Sequence, residues 1–86
     1  MNGQELQFPV EWCFRIITEA SAHPGIIDDL NRVLAQLNFP EALTVGNTSS
    51  GGKYITCLAT TMLLNREHMM TIDTELRAVS GVKMLI

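Results

Sequence analysis

The chain has 86 residues, of which 47% are hydrophobic and 17% charged, and its formal net charge is −3. This length suits one small globular domain, and so short a chain buries too little surface for a deep active site, which argues against an enzyme. The basic residues are scattered rather than clustered, which argues against a nucleic-acid partner. No stretch reaches the roughly 18 apolar residues of a membrane span, and the N-terminus does not resemble a secretory signal, so we expect a cytoplasmic protein without a membrane partner.

The N-terminal half of the sequence predicts a tail, a strand and a helix. Residues 1–7 are polar and aperiodic, so we expect a flexible tail before a single domain at 8–86. Apolar and polar side chains alternate over residues 10–17, which is the period of a strand. Pro24 suits the first position of a helix, and apolar residues recur at helical spacing over residues 26–37. The side chains expected on the core face of the strand are Val10, Trp12, Phe14 and Ile16.

The C-terminal half predicts a β-hairpin, a second helix and a last strand. A β-permissive segment at 42–47 and a segment rich in β-branched residues at 53–60 flank a turn. Asn65 is a good helix N-cap, and Gly81 is expected to stop the helix that follows. Residues 82–86 form the predicted last strand. The apolar stripe of the second helix consists of Met69, Ile72, Leu76 and Val79.

The predicted order βαββαβ is typical of the α+β, ferredoxin-like sandwich, a four-stranded antiparallel sheet with two helices on one face. The opposite face of the sheet, called the open face below, is then expected to be half polar and half apolar. Such a face is either a surface for oligomers and partners or an ordinary scatter of exposed apolar residues. The candidate interface residues on it are Cys13, Ile17, Tyr54, Leu58 and Leu85.

The cysteines and histidines indicate no catalytic or metal site. Strand parity places Cys13 on the open face and Cys57 in the core, so we expect no disulfide between them. Neither they nor His23 and His68 have the short spacings of metal ligands, and no local nucleophile motif is present. We therefore expect no metal, no cofactor and no catalytic residue. The glycine-rich run at 49–53 departs from a phosphate-binding loop, and an RNA-recognition sheet would need more aromatic residues on the open face.

The best candidate binding site is the turn His23-Pro24-Gly25-Ile26, which opens the first predicted helix. The first N–H groups of a helix lack intrahelical partners, and a glycine lets a small anion approach them closely. The alternative is that Pro-Gly only starts a helix after a loop.

Two resemblances extend these predictions. The segment His23–Leu34 is similar to the start of the first helix in ACT domains, where a Pro-Gly turn lies near a small ligand, often an amino acid, at an interface between copies. Over residues 8–86 the chain resembles the YbeD-like family of small uncharacterised bacterial proteins. The motifs that carry this second resemblance are Phe8-Pro9, the hairpin from Ser49-Ser50 to Lys53-Tyr54, and the ending Val82-Lys83-Met84-Leu85-Ile86.

The second resemblance implies an ACT-like ferredoxin fold, similar to the regulatory domain of phosphoglycerate dehydrogenase, and a regulatory role. It supplies no catalytic residues, and only Pro24, Gly25 and Ile26 match the ACT ligand turn; the preceding residue, often acidic in ACT domains, is His23 here. Two functions stay open. The first is a stand-alone regulatory module, as a homodimer, that binds an amino acid or small carboxylate and acts on an unknown protein partner. The second is a protein-interaction or dimerisation module with no small-molecule ligand. An acylphosphatase-like enzyme is set aside because residues 19–23 contain no arginine.

Overall fold

The computed structural model describes residues 6–86, so most of the predicted tail lies outside the described residues. Its sheet has the strand order β2-β3-β1-β4, and every neighbouring pair is antiparallel. This confirms the predicted ferredoxin-like fold. The elements are β1 (Val10–Glu19), a 3₁₀ turn (Ala20–Ala22), α1 (Gly25–Gln36), β2 (Thr44–Thr48), β3 (Tyr54–Leu63), α2 (Arg66–Arg77) and β4 (Val82–Leu85).

The core lies between the sheet and the two helices. Every second residue of β1 and β3 points toward the helices, and the apolar stripes of α1 and α2 cover these side chains. Burial of this apolar surface is the main stabilising contribution to so small a domain. The buried residues that form the core are Phe14, Ile16, Ile26, Leu30, Leu34, Phe39, Leu43, Cys57, Ala59, Leu63, Ile72 and Leu76.

Helix α1 ends in a Schellman motif that the sequence analysis did not identify. Asn38 has a left-handed φ of 65°, and its N–H donates to the carbonyl of Ala35 at 3.1 Å. The N–H of Phe39 donates to the carbonyl of Leu34 at 3.0 Å, and the Phe39 ring is buried in the core. These two bonds satisfy carbonyls that a helix end leaves unpaired.

Helix α2 begins at the predicted cap. The side chain of Asn65 accepts a hydrogen bond from the N–H of His68 at 2.8 Å. In return, Nδ1 of His68 accepts from the N–H of Leu64 at 3.1 Å. The two side chains thus satisfy backbone donors reciprocally, as in a capping box, which gives His68 a structural role at this helix end.

Two helix boundaries differ from the predictions. Pro24 lies just before α1 as its N-cap, and the helix begins at Gly25. Helix α2 already ends at Arg77, so Gly81 does not stop it. Gly81 instead forms the turn into β4, where its φ is 98°, and a Cβ atom there would lie 2.8 Å from side-chain atoms of Ala22 and Ile26. A glycine is required at this position by both backbone conformation and space.

The prediction that placed Leu85 on the open face is wrong. Ile17 pairs with Met84, but the next residue of β1, Thr18, pairs with Val82, so β4 contains a bulge at Lys83. A bulge reverses the side-chain parity that simple alternation gives. Leu85 therefore faces the helices and packs against the core, while Met84 lies on the open face beside Ile17.

Candidate functional site

The turn His23–Ile26 lies between the end of β1 and the start of α1, on the helix side of the sheet. The 3₁₀ turn that precedes it is closed by a hydrogen bond from the N–H of His23 to the carbonyl of Ala20, at 3.1 Å. Ile26 points into the core and is buried. Gly81 lies so close to the side chain of Ile26 that a Cβ atom would not fit between them, and this contact holds the turn against the start of β4. The candidate binding turn is therefore held at both of its ends.

The imidazole of His23 is anchored to a fully buried residue of β1. Its Nε2 atom lies 2.7 Å from Oγ1 of Thr18, and the same oxygen lies 2.7 Å from the carbonyl oxygen of Ile55. A hydroxyl has one proton to donate and the carbonyl can only accept, so Thr18 donates to Ile55 and accepts from His23. Nε2 of His23 therefore carries a proton. In the neutral ring, Nδ1 is then the unprotonated nitrogen that can accept a further hydrogen bond.

The opening of α1 has backbone donors without acceptors. In the described part of the chain, the N–H groups of Gly25 and Ile26 have no hydrogen-bond acceptor, whereas that of Ile27 donates to the carbonyl of Pro24 at 3.0 Å. A Cβ atom added at Gly25 would have no other heavy atom within 4 Å, so the space beside this residue is open. These donors and the positive end of the helix dipole together suit a carboxylate.

Cys57 lies behind the turn in the core. Its side chain is fully buried, and this burial raises the pKa of the Cys57 thiol. A thiol kept protonated in this way is a poor nucleophile. Cys57 is thus part of the packing around Thr18, and the second cysteine, Cys13, is exposed on the open face and forms no disulfide with it.

The open face presents most of the predicted interface residues together. The register of β1 with β3 places Leu58 opposite Arg15 and Tyr54 opposite Glu19. The residues of β1, β3 and β4 that the structure places on this face are Glu11, Cys13, Arg15, Ile17, Glu19, Tyr54, Thr56, Leu58, Thr60, Met62 and Met84. Four of the five candidate interface residues are among them, and Leu85 is not.

Two adjoining cavities lie on the open face. One of about 480 Å³ lies between β1, β3 and the segment that leads into β2, and Glu11, Cys13 and Met62 line it. The other, of about 350 Å³, is lined by Arg15, Ile17, the end of the chain and part of β2. Leu58 borders both of them. By contrast, residues 23–26 line neither of these two cavities.

Sequence reasoning missed two contributors to these surfaces. Thr18, which anchors His23, lies just beyond the end of the predicted strand, because β1 continues to Glu19. Only the alternation of side chains along the strand could have indicated that Thr18 faces the core. Met62, which is 49% exposed, lies beyond the predicted end of the third strand.

No group of three or more His, Cys, Asp or Glu side chains within residues 6–86 is placed to hold a metal ion. None of the helices in that range has the length and apolar character needed to cross a membrane.

Comparisons with known proteins agree with the resemblance found in the sequence. A family model described as "Protein of unknown function (DUF493)", the YbeD-like family, matches residues 3–86. No curated protein matches the chain.

Two solved structures have the same fold. Protein HP0495 from H. pylori superimposes with a TM-score of 0.75 at 17% sequence identity, over 99% of this chain and 91% of that one. The ACT domain from GTP pyrophosphokinase of Chlorobium tepidum superimposes with a TM-score of 0.67 at 18% identity, over 88% of this chain and 94% of that one. At such identities the similarity shows the fold, which is ACT-like, and no more.

Proposed function

The chain belongs to the DUF493 family, and from this premise we propose that it is a non-catalytic regulatory module that binds an amino acid or small carboxylate at the turn His23–Ile26. The observation that carries the proposal is that the turn is held firmly while the space beside the N-terminus of α1 is open. His23 is anchored on Thr18, while the space beside Gly25 is empty.

The chemistry of the turn fits an amino acid at both of its charged groups. The N–H groups of Gly25 and Ile26 suit the carboxylate. Nδ1 of His23, which the hydrogen bond to Thr18 leaves unprotonated in the neutral ring, suits the ammonium group as a hydrogen-bond acceptor. This gives His23 the accepting role that an acidic residue has in many ACT domains. We place the protein in the cytoplasm, which its two free cysteines support.

An amide-resolved NMR titration with amino acids and small carboxylates tests the proposal. We expect saturable shifts centred on the amides of Gly25 and Ile26. The variant Gly25→Val should abolish these shifts and still fold, because its side chain projects into open space. The matched control Gly51→Val, at a hairpin glycine with the same empty surroundings, should bind as the wild type does. Absence of shifts at millimolar ligand, or binding that persists in folded Gly25→Val, would rule out this site.

A second candidate function, a protein-interaction module without a ligand, is favoured by the two cavities that meet at Leu58. The variant Leu58→Lys would place a charge at their common border without disturbing the turn. If this module is the function, Leu58→Lys should lose self-association or partner binding, whereas Gly25→Val should retain it. Unchanged sedimentation and unchanged partner binding in Leu58→Lys would count against the open face.

A further inference from the structure

The open face carries opposite charges that lack ion-pair partners among residues 6–86. Glu11 and Arg15 are both exposed on this face of β1. The ion pairs within residues 6–86 join Arg32 to Asp29 and Arg77 to Asp73. Neither Glu11 nor Arg15 takes part in them. Four residues along a strand put their Cα atoms about 13 Å apart, which keeps the two charges separate. Both are therefore available to charges on another molecule.

Apolar side chains lie beside these two charges on the neighbouring strand. Met62 is the register partner of Glu11. Leu58 is the register partner of Arg15. Since antiparallel partners point to the same side of a sheet, each charge has an apolar neighbour on the open face. Together with the pair midway between them, these residues form a patch that consists of Glu11, Cys13, Arg15, Leu58, Thr60 and Met62. Five members of this patch line the larger cavity, and Arg15 lines the adjoining one.

The patch is complementary to a second copy of itself. A two-fold axis that runs parallel to the sheet in front of its open face, perpendicular to the strands and at the level of Cys13, places Arg15 of each copy over Glu11 of the other. The same rotation places Leu58 of each copy over Met62 of the other. We propose that two copies of this chain pair through their open faces about this axis.

A single position of the axis brings opposite charges on β1 together and also brings apolar side chains on β3 together. A partner of unrelated shape would not require the two halves of the patch to be related in this way, whereas a two-fold dimer does. The larger cavity, which five residues of the patch line together with the segment that leads into β2, gives the side chains of the second copy space to enter. The pairing uses a different face from the turn at His23 and does not depend on a ligand there.

Sedimentation velocity over a range of protein concentrations tests the pairing. We expect the wild type to form a reversible dimer. Arg15→Glu should weaken it roughly tenfold, because two symmetry-related attractions become repulsions together. The double variant Glu11→Arg, Arg15→Glu should restore affinity to near the wild-type value, since the charges again oppose. Arg66→Glu, which makes the same charge change at the exposed start of α2, should leave the dimer unaffected.

Two results would overturn the proposal. A wild-type chain that stays monomeric at every concentration would leave the open face to a different occupant. A double variant that dimerises as weakly as Arg15→Glu would show that these charges do not face each other.

Cys13 offers an independent test of the axis. Face-to-face sheets lie about 10 Å apart, which is too far for a disulfide, so a short bis-maleimide is the suitable probe. We expect cross-linked dimers in the wild type and none in Cys13→Ser, because Cys57 is buried. Thr60→Cys in the Cys13→Ser background should restore the cross-link, since Thr60 lies at the level of the axis. Equal cross-linking through Thr74→Cys, on the exposed surface of α2, would indicate random collision and contradict the proposal.

Discussion

At the scale of single residues, Thr18 connects the core to the candidate binding turn. Its buried hydroxyl donates to the carbonyl of Ile55 and accepts from His23, and it lies next to the thiol of Cys57. A buried hydroxyl that is fully hydrogen-bonded avoids the cost of desolvation, and here its bonds also select one tautomer of a histidine at the surface. The position of His23 is therefore determined from inside the protein.

Replacement of Thr18 by valine should release His23. Valine has the shape of threonine without its hydroxyl, so the Nε2 proton of His23 loses its acceptor. In ¹⁵N NMR spectra of the neutral ring, we expect the wild type to populate the Nε2–H tautomer and Thr18→Val to approach the mixture seen in free imidazoles. The free energy of unfolding should fall by about 1 kcal/mol for the lost hydrogen bonds. An unchanged tautomer in Thr18→Val would mean that another group orients the ring.

Because of Cys57, the free energy of unfolding should fall as the pH becomes alkaline. Burial raises the pKa of its thiol in the folded state, so above the ordinary pKa of a cysteine thiol the unfolded chain loses a proton that the folded chain retains. The contribution to stability is complete below that value and is lost as the pH rises toward the raised, folded-state pKa. Denaturant unfolding at pH 7 and near pH 10 should show a smaller loss of stability in Cys57→Ala than in the wild type. Cys13→Ala, at the exposed cysteine, should keep the wild-type slope.

At the scale of elements, the turn into β4 depends on Gly81. Its left-handed φ of 98° is unfavourable for other residues, and its neighbours leave no space for a Cβ atom. Because those neighbours are Ala22 and Ile26, the same glycine lets β4 approach the candidate binding turn closely.

Gly81→Ala should destabilise the protein by at least about 1 kcal/mol, since it adds backbone strain to a steric conflict. The control Gly51→Ala, where a Cβ atom meets nothing within 4 Å, should change stability little. Thermal or denaturant unfolding of the two variants measures the difference. Equal stability of both would show that the loop around Gly81 relaxes freely.

The order of the elements could be predicted from the sequence because each has a local cause. Strand alternation around Phe14, the apolar stripe around Leu30 and the cap at Asn65 depend only on neighbouring residues. The side of the sheet that Leu85 faces could not, because a bulge adds one residue to β4 without any sequence signal. The hydrogen bond from His23 to Thr18 and the cavities on the open face could not be predicted from the sequence either, because they depend on how separate segments pack together.

At the scale of the whole molecule, β1 and β3 form the centre. They pair along ten residues each, while β2 and β4 are shorter and lie at the two edges. The helices cover one side of this centre, the open face forms the other, and the turn at His23 continues from the end of β1. Both candidate surfaces are thus attached to the most extensively paired strands, where local opening requires the most free energy.

Cys57 can test this central stability, because it lies on β3 with its side chain fully buried between the sheet and the helices. Fraying of either edge strand leaves the helices in place over it, so a thiol reagent should reach Cys57 only through global unfolding. In a Cys13→Ser background, which leaves one reactive thiol, we expect slow labelling. When refolding outpaces the reagent, the labelling rate should yield the same free energy as denaturant unfolding. A markedly smaller free energy from labelling would mean that a helix separates from the sheet on its own, and that the core is less cooperative than its packing indicates.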